Sequence, residues 1–236
     1  MTPLMALAPV VLTPDQLKWV FVLPQRPALM MGAVVEHMKT QGVKTFGYIG
    51  FSGFWGDFIE NAMENLGWDD AKIHVVSHAR YAPTDTNVTA QVTTVLAADP
   101  DAIVVGATGG GGALPHITLV ERGYKKQIYH NHGEVNREFI NVGGKAVEGA
   151  IAPSGPLLVA ENLPDDNPVK PVALDFVRRY EQSFGQETRN LSSGYSYDAH
   201  LLLNAAVPAA MQKAKPGTPE FRRALRVALE NLHAVI

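Results

Sequence analysis

Residues 88–112 read VTAQVTTVLAADPDAIVVGATGGGG, and this stretch decides the fold class. Val88–Ala98 has helical spacing, with Asp85 and Thr86 as candidate caps ahead of it. The Asp99-Pro100 pair stops the helix. Ala102–Val105 is then entirely apolar, and a run of glycines, Gly109–Gly112, leads into the next helical stretch. A helix, a sharp stop and a short apolar strand is the unit from which parallel sheets are built.

The same grammar extends in both directions. Upstream, Leu29–Thr40 reads as a helix with Leu29, Ala33, Val34, His37 and Met38 on one face. Gly42 is placed to end it in a left-handed conformation, and Thr45–Gly50 is the strand. A second helix runs from Phe54 to Leu66, with Phe58, Ala62, Met63 and Leu66 in register. Gly67 stops it, and Lys72–Ser77 is the next strand. Downstream, a helix over Ala113–Arg122 ends at Gly123, followed by the strand Gln127–His130. A short helix near Asn136–Val142 then precedes a fifth strand, Gly149–Ala152. The alternation predicts an α/β fold with a parallel sheet and helices on both faces.

The last third breaks this pattern. Residues 153–171 hold five prolines and read as a connector. Three helices follow without a convincing strand: Val172–Phe184, Tyr195–Lys213 and Glu220–Leu232. The first presents Phe176, Val177, Tyr180 and Phe184 along one side. The second is apolar on most of its circumference and reads as buried, with Pro208 expected to kink or break it. These helices need a surface to pack on: either they cover the first sheet, or part of their domain is missing from this chain. The apolar start, MTPLMALAPVV, reads as a buried strand, because no basic residue precedes Lys18 as a secretory leader requires.

Composition narrows the chemistry. Hydrophobic residues make up 46% of the chain and charged residues 18%, enough to build a core and too few charges for disorder. The net charge of −3, with no basic stripe, argues against nucleic acid as a partner. There is no cysteine, which removes disulfides, thiolate chemistry and cysteine-held metals.

Ligands of open parallel sheets bind beyond the carboxyl ends of the strands, and three such ends carry candidates. After the first strand come Ser52, Phe54 and Trp55. The aromatics could stack on a ligand or anchor the helix in the core, and Ser52 or the helix N-terminus could hold an anion. After the third come Thr108, Gly109 and Gly110, where bare backbone allows close approach of a ligand. No Lys-Ser/Thr follows, so this is not a phosphate-binding loop of the P-loop kind. After the fourth, His130, Asn131, His132 and Glu134 form a polar wall, the two histidines facing one way if the strand continues. Zinc would need a further ligand, and no metal site is assigned. No acid–base–nucleophile set can be assembled from sequence order, so no catalytic residue is assigned and no cofactor is expected.

The strings KTFGYIGFSGFWGDF (44–58), YAPTDTNVTAQVTTVLAADPDAIVVGATGGGG (81–112), FINVGGKAVEGAIAPSGP (139–156) and GYSYDAHLLLNAA (194–206), taken in this order, resemble type I periplasmic solute-binding proteins. The nearest group is the branched-chain amino-acid receptors of ABC importers. That resemblance implies a type I periplasmic-binding-protein fold of two α/β lobes closing on a solute. Residues 24–155 would form the second lobe; residues 1–23 and 156–236 would form part of the first lobe and the hinge crossings. It further implies a small carboxylate solute, an inner-membrane permease as partner and a periplasmic location. Members of the family are longer, so the first lobe is incomplete here and a homo-oligomer is the expected way to cover it.

By the same resemblance Trp55 matches an aromatic that packs on the solute, and Thr108–Gly110 matches a contact loop that carries an aromatic in relatives. His132 falls where amino-acid receptors place a carboxylate for the solute's ammonium group, with Glu134 two residues away. A histidine there favours an aromatic or keto acid over an amino acid. The alternatives are a ligand-sensing or non-functional truncated module, and an α/β enzyme using His132 as base.

Overall fold

The computed structural model describes residues 13–64 and 73–233. The expected N-terminal strand, Leu66, the Gly67 stop and Lys72 lie outside the described residues. The chain divides into two compact units. One, Gln25–Ser154, is continuous. The other joins Gly155 and the chain after it to the segment that ends at Pro24.

The continuous unit alternates helix and strand: α1 (Pro27–Thr40), β1 (Thr45–Phe51), α2 (Phe54–Glu64), β2 (His74–Tyr81), α3 (Thr89–Leu96), β3 (Ala102–Gly106), α4 (Ala113–Glu121), β4 (Gln127–His130) and α5 (Arg137–Gly143). The four strands are all parallel, in the order β2-β1-β3-β4. Ile151 adds a single parallel bridge to Tyr129, where a fifth strand was expected.

Side chains alternate across the sheet with a period of two. Phe46, Tyr48, Ala102, Val104 and Tyr129 face one core layer, against Met31, Val34, Met38, Ile59 and Met63 of α1 and α2. Ile49, Phe51, Ile103, Val105 and Ile128 face the other, against Val92, Val95 and Leu119 of α3 and α4. Both faces of β1 and β3 are therefore covered, as their continuous apolar reading requires. Each fully buried Val or Ile contributes roughly 1.5–3 kcal/mol.

Several local expectations are corrected. In α1 the buried stripe is Met30, Met31, Val34, Val35 and Met38, while Leu29 is 67% exposed and Ala33 faces solvent. The stretch PALMMGAVV is apolar almost all round, so its phase is set by the sheet it meets. The strand β2 reaches Tyr81, four residues past Ser77, and is the edge of the sheet among the described residues. Its His74, Val75 and Val76 are exposed, so it is not covered on both faces. Helix α3 starts at Thr89 without Asp85 or Thr86 as caps. Asn87 Oδ1 instead accepts from the Thr89 N–H, and Asp85 accepts from Ala82 in the preceding turn. Gly42 and Gly123 do adopt left-handed φ values of 70° and 80° where they end their helices.

The other unit contains α6 (Lys170–Phe184), α7 (Leu191–Met211) and α8 (Pro219–Glu230), with no strand among its described residues. Phe176 stacks on Tyr180 and meets Tyr197 at a tilt, but Phe184 is 66% exposed. Only Tyr195, Ala199, Ala206 and Ala210 of α7 are buried, so that helix is not the enclosed one expected. Nor does Pro208 break it. Standing in the last turn, Pro208 removes one donor, the one that would reach the Asn204 carbonyl. Helix α8 lays Leu225 and Phe221 against Leu203, Ala206, Val207 and Ala210 of α7. No described helix is long and apolar enough to cross a membrane.

Candidate functional site

Three parallel strands end side by side at Phe51, Gly106 and His130, so the loops that follow them meet on one edge of the sheet. The first loop is drawn inward. Ser52 uses both its N–H and its hydroxyl on the Tyr81 carbonyl, at 2.7 and 3.1 Å, which ties β1 to β2. Phe54 lies exposed and stacks on Phe58 at 5.3 Å. Trp55 packs against both core layers, and its indole N–H donates to the Ala107 carbonyl at 2.8 Å. The anchoring role foreseen for an aromatic here is thus filled by Trp55, whose ring also stands 5.7 Å from that of His132.

The glycine loop is closed by its neighbours. Thr108 is extended, and Gly109 has a φ of 57°. A Cβ on Gly109 or Gly110 would meet the Glu138 side chain, one on Gly111 the Phe51 ring, and one on Gly112 the Glu134 carboxylate. Tyr81 Oη donates to the Gly111 carbonyl at 3.0 Å and fastens the loop from the other side. The space that the missing side chains leave on this loop is filled by the protein's own groups.

The strand β4 ends at His130, and the chain turns at once into a single 3-10 turn, His132–Glu134. The two histidines therefore do not face one way, as a continued strand would have placed them. His130 points inward to His116 of α4, with its Nε2 2.8 Å from His116 Nδ1. His132 points towards Trp55. Asn131 is the hinge between them. Its Nδ2 donates to the Ala107 carbonyl at 2.7 Å, and its Oδ1 accepts from Gly133 N at 2.7 Å. Ala107 thus receives both Trp55 and Asn131, which locks the three loops together.

Only 6% of His132 is exposed, and neither ring nitrogen has a hydrogen-bond partner among the described residues. Burial pushes its pKa down, so the ring is neutral near pH 7. Glu134 is buried completely. Its Oε2 accepts from Asn131 N at 3.1 Å and Asn131 Nδ2 at 3.0 Å, and stands 3.1 Å from His130 Nδ1. Burial raises its pKa, and His130 and Asn131 oppose that rise. No group of three His, Asp or Glu side chains among the described residues is arranged to hold a metal ion.

The structure brings Trp55, Thr108 and His132 to one edge: a Cβ on Gly133, next to His132, would touch both Trp55 and Thr108. Ser52 is held away at Tyr81, and Glu134 is turned into the interior. Sequence reasoning missed His116 as part of this wall, and the bond from Asn131 across to Ala107. Their partners lie 14 and 24 residues away, and no helical or strand spacing signals such contacts.

The model of the family described as periplasmic binding protein matches residues 2–235. An extracellular ligand-binding receptor from Rhodopseudomonas palustris is 43% identical, with a TM-score of 0.87 over 93% of this chain and 61% of its own. One from Rhodopseudomonas palustris HaA2 is 41% identical, with a TM-score of 0.86 over 92% and 60%. A structure assigned to a branched-chain amino acid ABC transporter of Rhodospirillum rubrum is 25% identical, with a TM-score of 0.67 over 92% and 59%. No curated protein matches. This chain therefore spans about three-fifths of the length of those structures. With its four-stranded parallel sheet, its helices on both faces and a family match over nearly its whole length, the chain belongs to the periplasmic binding protein family and has the type I fold.

Proposed function

We propose that this chain carries the solute-contacting wall of a receptor for a small carboxylate, with Trp55, Thr108 and His132 as its contact residues. The observation that carries this reading is His132. Buried polar groups in folded proteins nearly always have partners, yet both nitrogens of this ring lack one beside an aromatic face. A solute oxygen would supply the partner. A neutral imidazole donates to a carboxylate or an oxo group but offers an ammonium group no counter-charge, which favours an aromatic or keto acid over an amino acid. Phe54 and the Gly109–Gly110 backbone would border the bound solute. An enzyme using His132 as base finds no support, since among the described residues no hydroxyl or carboxylate lies within hydrogen-bond reach of that ring. The solved relatives are extracellular ligand-binding receptors; the Rhodospirillum rubrum likeness supports an ABC permease as partner, and the family match supports the periplasm as the place of action.

Thermal shift tests this reading. A solute that binds only the folded state raises the melting temperature by mass action, by about 2.7 kcal/mol of stabilisation at a hundred times Kd. Benzoate-like and keto acids should raise it, and His132→Ala should abolish the shift. Tight binding of leucine with no response to either acid class would defeat the assignment.

Self-association is the second expectation. Phe21, Val22, Leu23, Leu202, Leu203 and Leu229 line an apolar groove in the unit that has no described strand. Open apolar surface of this kind drives assembly. Sedimentation velocity should show species larger than the monomer at micromolar concentration, and a single monomer boundary would contradict this.

A further inference from the structure

Glu138 is a carboxylate at the edge where the strands end, and neither the core nor the contacts proposed above use it. It stands in the first turn of α5, and its side chain is exposed. That turn lies against the glycine loop. An ideal Cβ on Gly109 would stand 2.7 Å from Glu138 Oε2. One on Gly110 would stand 3.1 Å from Glu138 Cγ and 3.0 Å from Val142 Cγ2, one helical turn further along α5. The carboxylate therefore occupies the place in which a side chain of the loop would begin. Gly109, with a φ of 57° and no side chain, leaves it that room.

Thr108 joins this carboxylate to the unpartnered ring of His132. On one side its Cγ2 stands 3.0 Å from where a Cβ on Gly133 would lie, next to His132 and against Trp55. On the other side the chain passes straight into Gly109 and the Glu138 carboxylate. A solute that engages His132 and runs along Thr108–Gly110 thus ends at a negative charge. Glu138 makes no ion pair or hydrogen bond through its side chain among the described residues, so that charge is not neutralised by a neighbour. An acid in the first turn also suits the helix dipole, but that effect bears on the stability of α5 and leaves the charge beside the loop.

We propose that Glu138 is a specificity-determining residue: it keeps the solute's one carboxylate at the His132 end and rejects acids that carry a second carboxylate at the far end. The proposal rests on the reading of Trp55, Thr108 and His132 as solute contacts. Specificity is a difference of affinities, and a like charge placed against the wrong ligand is one way to produce it. Because Glu138 is exposed, its repulsion acts partly through water and weakens as salt rises.

Isothermal titration calorimetry of the intact chain with two matched pairs tests this: benzoate against terephthalate, and α-ketovalerate against α-ketoglutarate. In each pair the second acid carries one more carboxylate at the far end. In at least one pair the parent chain should bind the monocarboxylate about tenfold more tightly, and the gap should narrow as salt is raised to about 0.5 M. Glu138→Gln keeps the shape and removes the charge. It should close the gap by tightening the dicarboxylate, with the monocarboxylate unchanged to within about twofold. Glu138→Lys should invert the preference. Equal affinities within each pair in the parent, a gap that ignores salt, or a ratio that both variants leave unchanged would overturn the proposal. Equal weakening of both acids in the variants would show a purely structural role and overturn it as well. Binding of neither monocarboxylate by the parent would instead defeat the assignment of the contact residues, and this proposal with it, so the two failures are told apart by the parent alone.

Discussion

Gly56→Ala is expected to destabilise the chain by about 3 kcal/mol or more, enough to move a urea midpoint by more than 1 M at ordinary slopes. Two effects compete. Alanine in a helix interior is favoured over glycine by about 1 kcal/mol, and Gly56 lies inside α2. Against that, a Cβ there falls within contact distance of the Phe51 carbonyl oxygen and of an Arg80 nitrogen. Neither can retreat cheaply. Arg80 Nη1 donates to that carbonyl at 2.8 Å, and its guanidinium is held by Asp57 and Glu60 and lies over the Tyr48 ring. Tyr48 Oη in turn donates to the Gly56 carbonyl at 2.9 Å. The clash is with backbone braced on two sides, so it outweighs the propensity. A midpoint equal to or above that of the parent would show that α2 can slide away from β1.

Glu134→Ala is expected to cost about 1–3 kcal/mol, the penalty for leaving buried donors without their acceptor. Asn131 N–H would lose its acceptor at a buried position, and space would open beside Gly112. Asn131 Nδ2 keeps the Ala107 carbonyl, which limits the damage to the turn. Glu134→Gln should cost clearly less, because an amide oxygen still accepts from Asn131. Equilibrium denaturation of both variants at pH 7 measures the difference. A loss under 0.5 kcal/mol in the alanine variant would mean that Glu134 contributes nothing to holding the turn.

Strands β3 and β4 were legible because each is a short apolar run with a sharp stop before it, Asp99-Pro100 for one and Gly123 for the other. The left-handed glycines at 42 and 123 were legible for the same local reason. The phase of α1 was not, since Leu29 and Met31 are equally apolar and only the sheet distinguishes them. Nor was the length of β2: His78 and Arg80 look like loop residues, yet an edge strand tolerates them because one side meets water. The four consecutive glycines read as an opening for a ligand, but each also makes room for Glu138, Phe51 or Glu134, and those contacts come from sequence-distant elements. Trp55 and His132 could be named as candidates from the sequence. Their partnership, and the inward turn of Glu134, depend on where β4 stops and on Asn131 bonding across to Ala107.

The continuous course of residues 25–154 matters during synthesis. A unit whose strands are all contiguous in the chain can fold as soon as it leaves the ribosome, while α6, α7 and α8 are still being made. The segment ending at Pro24 is made before that unit and must wait for those helices. The order of translation thus gives the sheet that carries Trp55 and His132 an opportunity to form before its companion unit is complete.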